Sequence, residues 1–327
     1  MSEMAMDAPI FVSGHGGLVG SAVMRRLRSA GFTNLLTATR AQLDLRDQAA
    51  VNQWFETNRP AYVFLVAGTV GGIMANSTRP AEFLYDNLMI HATVVHAAHT
   101  CDVTKLLYLG SSCIYPRHSA QPITEDQLLT GPLEPTNEAY ALAKISGIKL
   151  CESYRTQYGA NFISAMPTNL YGPNDNFDLT SGHVLPALMR KMHDAKLAGT
   201  PTVDVWGSGT PMRELLHVDD LADACLFLME TYSDAEHINV GTGVDVTIRE
   251  LAETVRDIVY PEAELVFDAT KPDGMPRKVL DVSKLRAMGW APRYGLVDGV
   301  QSTYDWFVAQ RDDSLRGIGT SVLDVTA

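Results

Sequence analysis

Short apolar runs alternate along this chain with longer stretches in which apolar positions recur every three or four residues. The runs at 10–13, 34–39, 62–67, 105–109 and 161–167 are strand-like. Between them, 21–30, 48–58, 80–100 and 140–158 carry helical spacing. Strand and helix in strict alternation predict a parallel sheet wound on both faces, an α/β Rossmann-type architecture. The alternation breaks at Asn169-Leu170-Tyr171-Gly172-Pro173. It resumes with a helix at 221–230, opened by Leu215-Leu216-His217-Val218-Asp219-Asp220, and a strand at 237–240. Helices at 185–196 and 247–260 are left over. The predicted organisation is a doubly wound domain from 1–175 and 215–244, and a smaller, discontinuous α/β domain from 176–214 and 245–311. Residues 312–327 have weak periodicity and are expected to form a mobile tail.

Composition narrows the partners. A chain of 327 residues, 46% hydrophobic and 20% charged, is ordinary for a soluble globular protein. The formal net charge of −12, with no run rich in lysine and arginine, argues against nucleic acid. No apolar run is long enough for a membrane span, and the N-terminus lacks the pattern of a secretory signal. Cys101, Cys113, Cys151 and Cys225 show no metal-ligand spacing, so thiols in a reducing cytoplasm are expected, with no metal.

Three stretches carry candidate chemistry. Between the first strand and helix lies Gly14-His15-Gly16-Gly17-Leu18-Val19-Gly20. Gly14 suits a tight turn, Gly17 a close backbone approach to a pyrophosphate, and Gly20 close packing of helix on sheet. Leu18 and Val19 lie in the same loop as cofactor-binding candidates, and the helix that follows at 21–30 offers free N–H groups to the phosphates. The second strand ends in Thr39-Arg40, where NAD binders place an acid; an arginine suits the 2′-phosphate of NADP(H). Asp44 and Leu45 follow as residues that flank the adenine. The third stretch, EAYALAK at 138–144, puts Tyr140 and Lys144 one helical turn apart. A neighbouring ammonium is expected to lower the phenol pKa toward neutrality and make it a general acid. Ser111, just past the strand at 105–109, stands where a hydroxyl can polarise a substrate carbonyl. Each feature alone has a plainer reading: a turn, a solvated arginine, a surface tyrosine, a serine capping a loop. Together they specify far more.

The chain resembles the extended short-chain dehydrogenase/reductases and, within them, the GDP-L-fucose synthase family. The resemblance rests on GHGGLVGSA at 14–22, GSSCIYP at 110–116, EPTNEAYALAKISGIK at 134–149, MPTNLYGP at 166–173, VWGSGTPMRELLHVDD at 205–220 and PDGMPRKVLD at 272–281. It implies a trio of Ser111, Tyr140 and Lys144 for hydride chemistry, and Cys113 with His183 as an acid/base pair for epimerisation. The implied reaction takes GDP-4-keto-6-deoxy-D-mannose through inversion at C3 and C5, then reduction at C4 with NADPH. A homodimer joined through the helices at 80–100 and 140–158 is also implied. One position departs from the pattern: Gly16 stands where the family often has arginine.

The diphosphate of such a substrate needs cations, for which Lys191, Arg213 and Lys278 are the candidates. Trp206 can stack on guanine or pack the sugar, and Asn169 and Leu170 are expected to line the sugar pocket. Two other readings compete. One is an NAD-dependent nucleotide-sugar 4-epimerase or 4,6-dehydratase, against which Arg40, Cys113 and His183 argue. The other is a catalytically silent NADP-binding regulator, against which the intact trio argues.

Overall fold

The computed structural model describes residues 4–310 except positions 180 and 272; the tail expected at 312–327 lies outside them. The elements run β1 (Ile10–Ser13), α1 (Leu18–Ser29), β2 (Leu35–Leu36), α2 (Gln48–Asn58), β3 (Tyr62–Leu65), α3 (Ile73–Thr78), α4 (Pro80–Thr100), β4 (Lys105–Leu109), α5 (Glu138–Tyr158) and β5 (Phe162–Pro167). They continue with β6 (Asn169–Tyr171), α6 (Val184–Ala198), β7 (Thr202–Trp206), β8 (Met212–His217), α7 (Val218–Thr231) and β9 (Ile238–Val240). Last come β10 (Asp245–Thr247), α8 (Ile248–Val259), β11 (Glu264–Asp268), β12 (Arg277–Lys278), α9 (Ser283–Ala287) and α10 (Leu296–Ala309).

Six strands form an all-parallel sheet in the order β2-β1-β3-β4-β5-β9. Its central strands are apolar on both sides because helices cover both faces. Phe11, Val63, Leu65, Leu106 and Phe162 point into the core shared with α2, α4 and α5. Ile10, Val12, Phe64, Leu107 and Ile163 point the other way, against α1 and α7. The buried Lys105 ammonium fastens α7 to β4. It donates to Leu228 O, Met229 O and Tyr232 O at 3.0, 2.7 and 2.5 Å, meeting carbonyls that a helix end leaves free.

A smaller sheet is built on β8, which pairs with β10, β12 and β6, and β7 pairs with β11 beside it. A third core joins α6, α8 and α10 through Leu185, Met189, Leu251, Val255 and Phe307. A Thr247–Glu250 capping box starts α8. Glu214, fully buried on β8, ties β8 to the β9–β10 connection and to the segment after β12 by accepting from the N–H groups of Gly243 (2.7 Å) and Leu280 (2.8 Å).

Several expectations shift. The strand expected at 34–39 keeps only Leu35 and Leu36, because β1 offers partners only at Ile10 and Phe11. Leu215-Leu216-His217, expected to lead into a helix, are strand residues paired with Asn169-Leu170-Tyr171, and the helix begins at Val218. The break at Asn169 is thus a crossing into the second sheet.

Candidate active site

Sheet order reverses between β1 and β3, which opens a crevice beyond their carboxyl ends, the place where such sheets bind ligands. Gly14 turns the chain there in the left-handed region, φ +68°. A Cβ on Gly20 would lie 2.0 Å from Gly14 O, so only glycine lets α1 come this close. Gly17 caps α1 and Leu18 and Val19 form its first turn, with no acidic residue to repel a phosphate. Gly14, Arg40, Asp44 and Leu45 converge, with Ser13, Gly68, Thr69 and Asp86, on one cavity of about 170 Å³. Arg40 is exposed and has no ion-pair partner among the described residues. Position 16 is open, with nothing within 4 Å of an added Cβ. These residues fit an adenosine phosphate: a cradle that side chains would fill, a helix N-terminus and a free guanidinium.

Sequence reasoning missed the wall of this cavity. Arg46 pairs with Asp44 at 2.7 Å and with Asp86 at 2.9 Å. The guanidinium hydrogen bond holds the Asp44 carboxyl below the usual carboxylate range. Asp86 comes from α4, and no local spacing links it to Arg46.

Next along the sheet, β4 ends in Leu109 and delivers Ser111 and Cys113. Ser111 caps a short helical turn at Ser112–Ile114 and accepts from Cys113 N at 3.4 Å, which keeps hydroxyl and thiol on one loop. Across from them stands the first turn of α5. Lys144 is buried and its Nζ donates to Leu109 O at 2.8 Å. The same ammonium lies 5.7 Å from the Tyr140 ring centroid. A Cβ on Gly68 would stand 3.7 Å from Lys144 Nζ, so α5 borders the same cavity.

The electrostatics correct one expectation. Tyr140 is not brought toward neutrality: burial pushes its phenol well above the usual value, Cys113 adds to this, and the Ser111 hydroxyl only partly offsets it. Burial likewise pulls Lys144 down to about 8. Desolvation dominates, so the phenol is held protonated, the state a proton donor needs. Burial also raises the Cys113 thiol, opposed chiefly by the charge of Lys278.

His183 is the N-cap residue of α6; it is exposed to solvent, yet crowding by neighbouring protein atoms keeps its pKa below the ordinary imidazole value. Its loop docks through Gly72 N, which donates to Ser181 O at 3.1 Å. Gly71, next to it, sits against Phe83, whose ring meets Tyr140 edge-on at 6.2 Å between centroids. The His183 loop is thereby attached to the wall that carries Tyr140.

The residues expected to bind substrate fall into separate groups. Trp206 is 61% exposed, and Lys191 and Lys271 sit over its ring at 5.1 and 5.6 Å. It is a surface aromatic and not a core residue; Lys271 was not foreseen. Arg213 and Lys278 are opposite one another on β8 and β12. The Arg213 guanidinium donates to Met212 O and Met275 O. Asn169 donates its amide to Glu214 O at 2.8 Å, and Leu170 packs on the main core. Both hold β6 in place. Among the described residues no group of three or more His, Cys, Asp or Glu can hold a metal ion, and no helix is long and apolar enough to cross a membrane.

A doubly wound sheet with a glycine cradle and a Ser-Tyr-Lys cluster at its carboxyl edge defines a dinucleotide-dependent enzyme of the short-chain dehydrogenase/reductase class. The profile of the NAD dependent epimerase/dehydratase family matches residues 10–241, and the chain belongs to that family. Among its relatives, GDP-L-fucose synthase 1 of Arabidopsis thaliana is 58% identical over 302 residues, covering 92% of this chain and 94% of the relative. GDP-L-fucose synthase of Escherichia coli (strain K12) is 54% identical over 317 residues, covering 94% and 98%. The solved GDP-L-fucose synthetase of Naegleria fowleri, bound to NADP, superposes with a TM-score of 0.88 at 32% identity, covering 94% of each chain.

Proposed function

We propose that this chain converts GDP-4-keto-6-deoxy-D-mannose to GDP-L-fucose, inverting C3 and C5 and reducing C4 with NADPH. The observation that carries the reading is the pairing of two chemistries on one loop. Ser111, Tyr140 and Lys144 suffice for a carbonyl reduction; a buried thiol two residues past Ser111 adds a group that can move a carbon-bound proton. The names of relatives at 54–58% identity support a GDP-sugar substrate.

C3 and C5 flank the C4 ketone, so loss of either proton leaves an enolate with its charge on the C4 oxygen. Ser111 and Tyr140 donate hydrogen bonds to that oxygen. Cys113, as thiolate, takes the proton from one face of the carbon. His183, whose lowered pKa makes its imidazolium a stronger acid, returns a proton to the other face and is left as neutral imidazole. NADPH supplies the hydride that C4 receives. Tyr140 then gives its proton to the C4 alkoxide, and the Lys144 ammonium stabilises the phenolate left behind.

Arg40 would hold the 2′-phosphate of the cofactor, and Gly14, Gly17 and Gly20 would make room for its pyrophosphate. Lys191 and Arg213 attract the diphosphate of the substrate, and the exposed face of Trp206 stacks on guanine. The enzyme acts in the cytoplasm as a homodimer, its four buried cysteines all free thiols. Exposed Tyr85 on α4 and Leu142 and Tyr158 on α5 support a self-complementary contact along these two helices. The test of the activity is NADPH oxidation on addition of GDP-4-keto-6-deoxy-D-mannose. One NADPH consumed per sugar supports the reading; turnover with none consumed refutes it.

A further inference from the structure

We propose that Lys278 is the cation that favours the reactive thiolate of Cys113, a positioning residue that acts through the sulfur and not a ligand of the substrate diphosphate. The proposal rests on the reading of Cys113 as the proton-abstracting group.

The backbone fixes the two residues in one place although they are far apart in sequence. Lys278 ends β12, opposite Arg213 of β8. Immediately after it, Val279 O accepts from Ile123 N at 2.9 Å and Val279 N donates to Gln121 Oε1 at 2.9 Å. Leu280 forms a bridge with Ile123. Asn239 Nδ2 ties the same strands again, donating to Ile123 O (2.9 Å) and Asp281 O (3.1 Å). The segment 121–123 continues the loop that begins with Ser111 and Cys113. That loop is anchored at Tyr115, whose hydroxyl donates to Asn239 Oδ1 at 2.6 Å. Lys278 therefore rides on a strand stapled to the Cys113 loop.

The charges agree with the placement. Lys278 is half-buried and makes no ion pair or hydrogen bond among the described residues. Its strongest charge interaction is with Cys113, and among charged groups Cys113 in turn feels Lys278 most. The other groups around the thiol are the Ser111 hydroxyl, which hydrogen-bonds to it, and Lys144, a weaker cation. Tyr140 and Tyr108 of the neighbouring walls both respond to its charge. Around Lys278 stand Arg213, which opposes its charge, and Glu214, whose carboxylate already accepts from Gly243 N and Leu280 N. Arg213 directs its own guanidinium to backbone carbonyls. Burial raises the Cys113 thiol and remains the larger effect; the ammonium opposes it and so increases the thiolate fraction available as a base. The step balances simply: the thiolate takes the carbon-bound proton and becomes a thiol, and the C–H electron pair stays on the sugar as the enolate.

The experiment is alkylation of the full-length enzyme with iodoacetamide from pH 6 to 10, without sugar or cofactor, following the Cys113 peptide by mass spectrometry. Lys278→Met should move the half-maximal pH up by about one unit or more, slowing the reaction at pH 7 by about tenfold. Lys278→Arg, which keeps the charge, should retain the wild-type profile, and so should Arg213→Met. Lys278→Gln serves if the Met variant does not fold. GDP affinity, measured by calorimetry, should change less than twofold in Lys278→Met. Superposable alkylation profiles overturn the proposal, as does a loss of GDP binding with the Cys113 profile unmoved. A Lys278-dependent thiol in an enzyme that forms no GDP-L-fucose would sink the proposed function instead.

Discussion

Lys144 Nζ reaches across from α5 to Leu109 O, 2.8 Å away, at the last residue of β4. This bond sets the catalytic helix against the strand whose next residues present Ser111 and Cys113. It also uses one of the three ammonium protons and leaves the charge beside Tyr140. Burial has brought Lys144 to about 8, so its cation is lost as pH rises through about 8. The expected kcat/KM for NADPH oxidation therefore falls on an alkaline limb centred near 8. In Lys144→Arg, whose guanidinium does not titrate there, activity is lower but the limb is absent. A wild-type profile flat to pH 10 would show that the charge is not needed.

The proton donor and the carbon base separate by mutation. Tyr140→Phe removes the donor and should cut NADPH oxidation by about 10²–10⁴-fold, while Ser111 still supports some exchange of sugar protons with solvent deuterium. Cys113→Ser should do the reverse, because a hydroxyl is far too weak an acid to supply the anion a thiol can. Exchange then collapses first, and residual reduction yields a sugar other than L-fucose. Mass spectrometry of deuterium uptake, with product NMR, reads both. Normal uptake and normal product in Cys113→Ser would make Cys113 a packing residue.

Cofactor choice is expected to depend on Arg40. It is exposed and without an ion-pair partner among the described residues, and Gly16 offers no side chain to share the 2′-phosphate. A charge-assisted hydrogen bond contributes about 1.5–3 kcal/mol, so Arg40→Asp should lower the NADPH/NADH ratio of kcat/KM by about 10- to 150-fold. Gly16→Arg enters open space and should raise that ratio. Equal use of both cofactors by the wild type would contradict the assignment.

The parallel sheet and the glycine cradle were legible because local pattern and backbone geometry coincide there: five apolar runs alternate with helical spacing, and Gly14, Gly17 and Gly20 stand where the first strand turns into its helix. The strand order was not. Tyr140 and Lys144 were legible because one helix carries both. Long-range placement was not. The pairing of the Lys278 strand with the Gln121–Ile123 segment joins residues more than 150 positions apart, which no local spacing announces. The Arg46–Asp86 pair spans α4 and a loop, with no periodicity to announce it. The ionisation of Tyr140 was misjudged because spacing reports the neighbouring lysine but not the depth of burial.

The outer face of α4 and α5 leaves Tyr85, Leu142 and Tyr158 exposed at 60%, 42% and 54%. Light scattering at micromolar concentration should give twice the 35.7 kDa chain mass. Leu142→Glu, which puts a charge into an apolar contact, should shift the protein toward monomer. A monomeric wild type would refute the arrangement.

The most direct test of the central claim, that one site both inverts and reduces the sugar, is a single turnover experiment in deuterium oxide. GDP-4-keto-6-deoxy-D-mannose and NADPH are incubated with the enzyme, and the product is read by NMR. The expected product is GDP-L-fucose carrying deuterium at C3 and C5, where protons pass through solvent-exchanging groups, and protium at C4, where the hydride came from NADPH. A reduced sugar with the original configuration and no deuterium at C3 or C5 would contradict it.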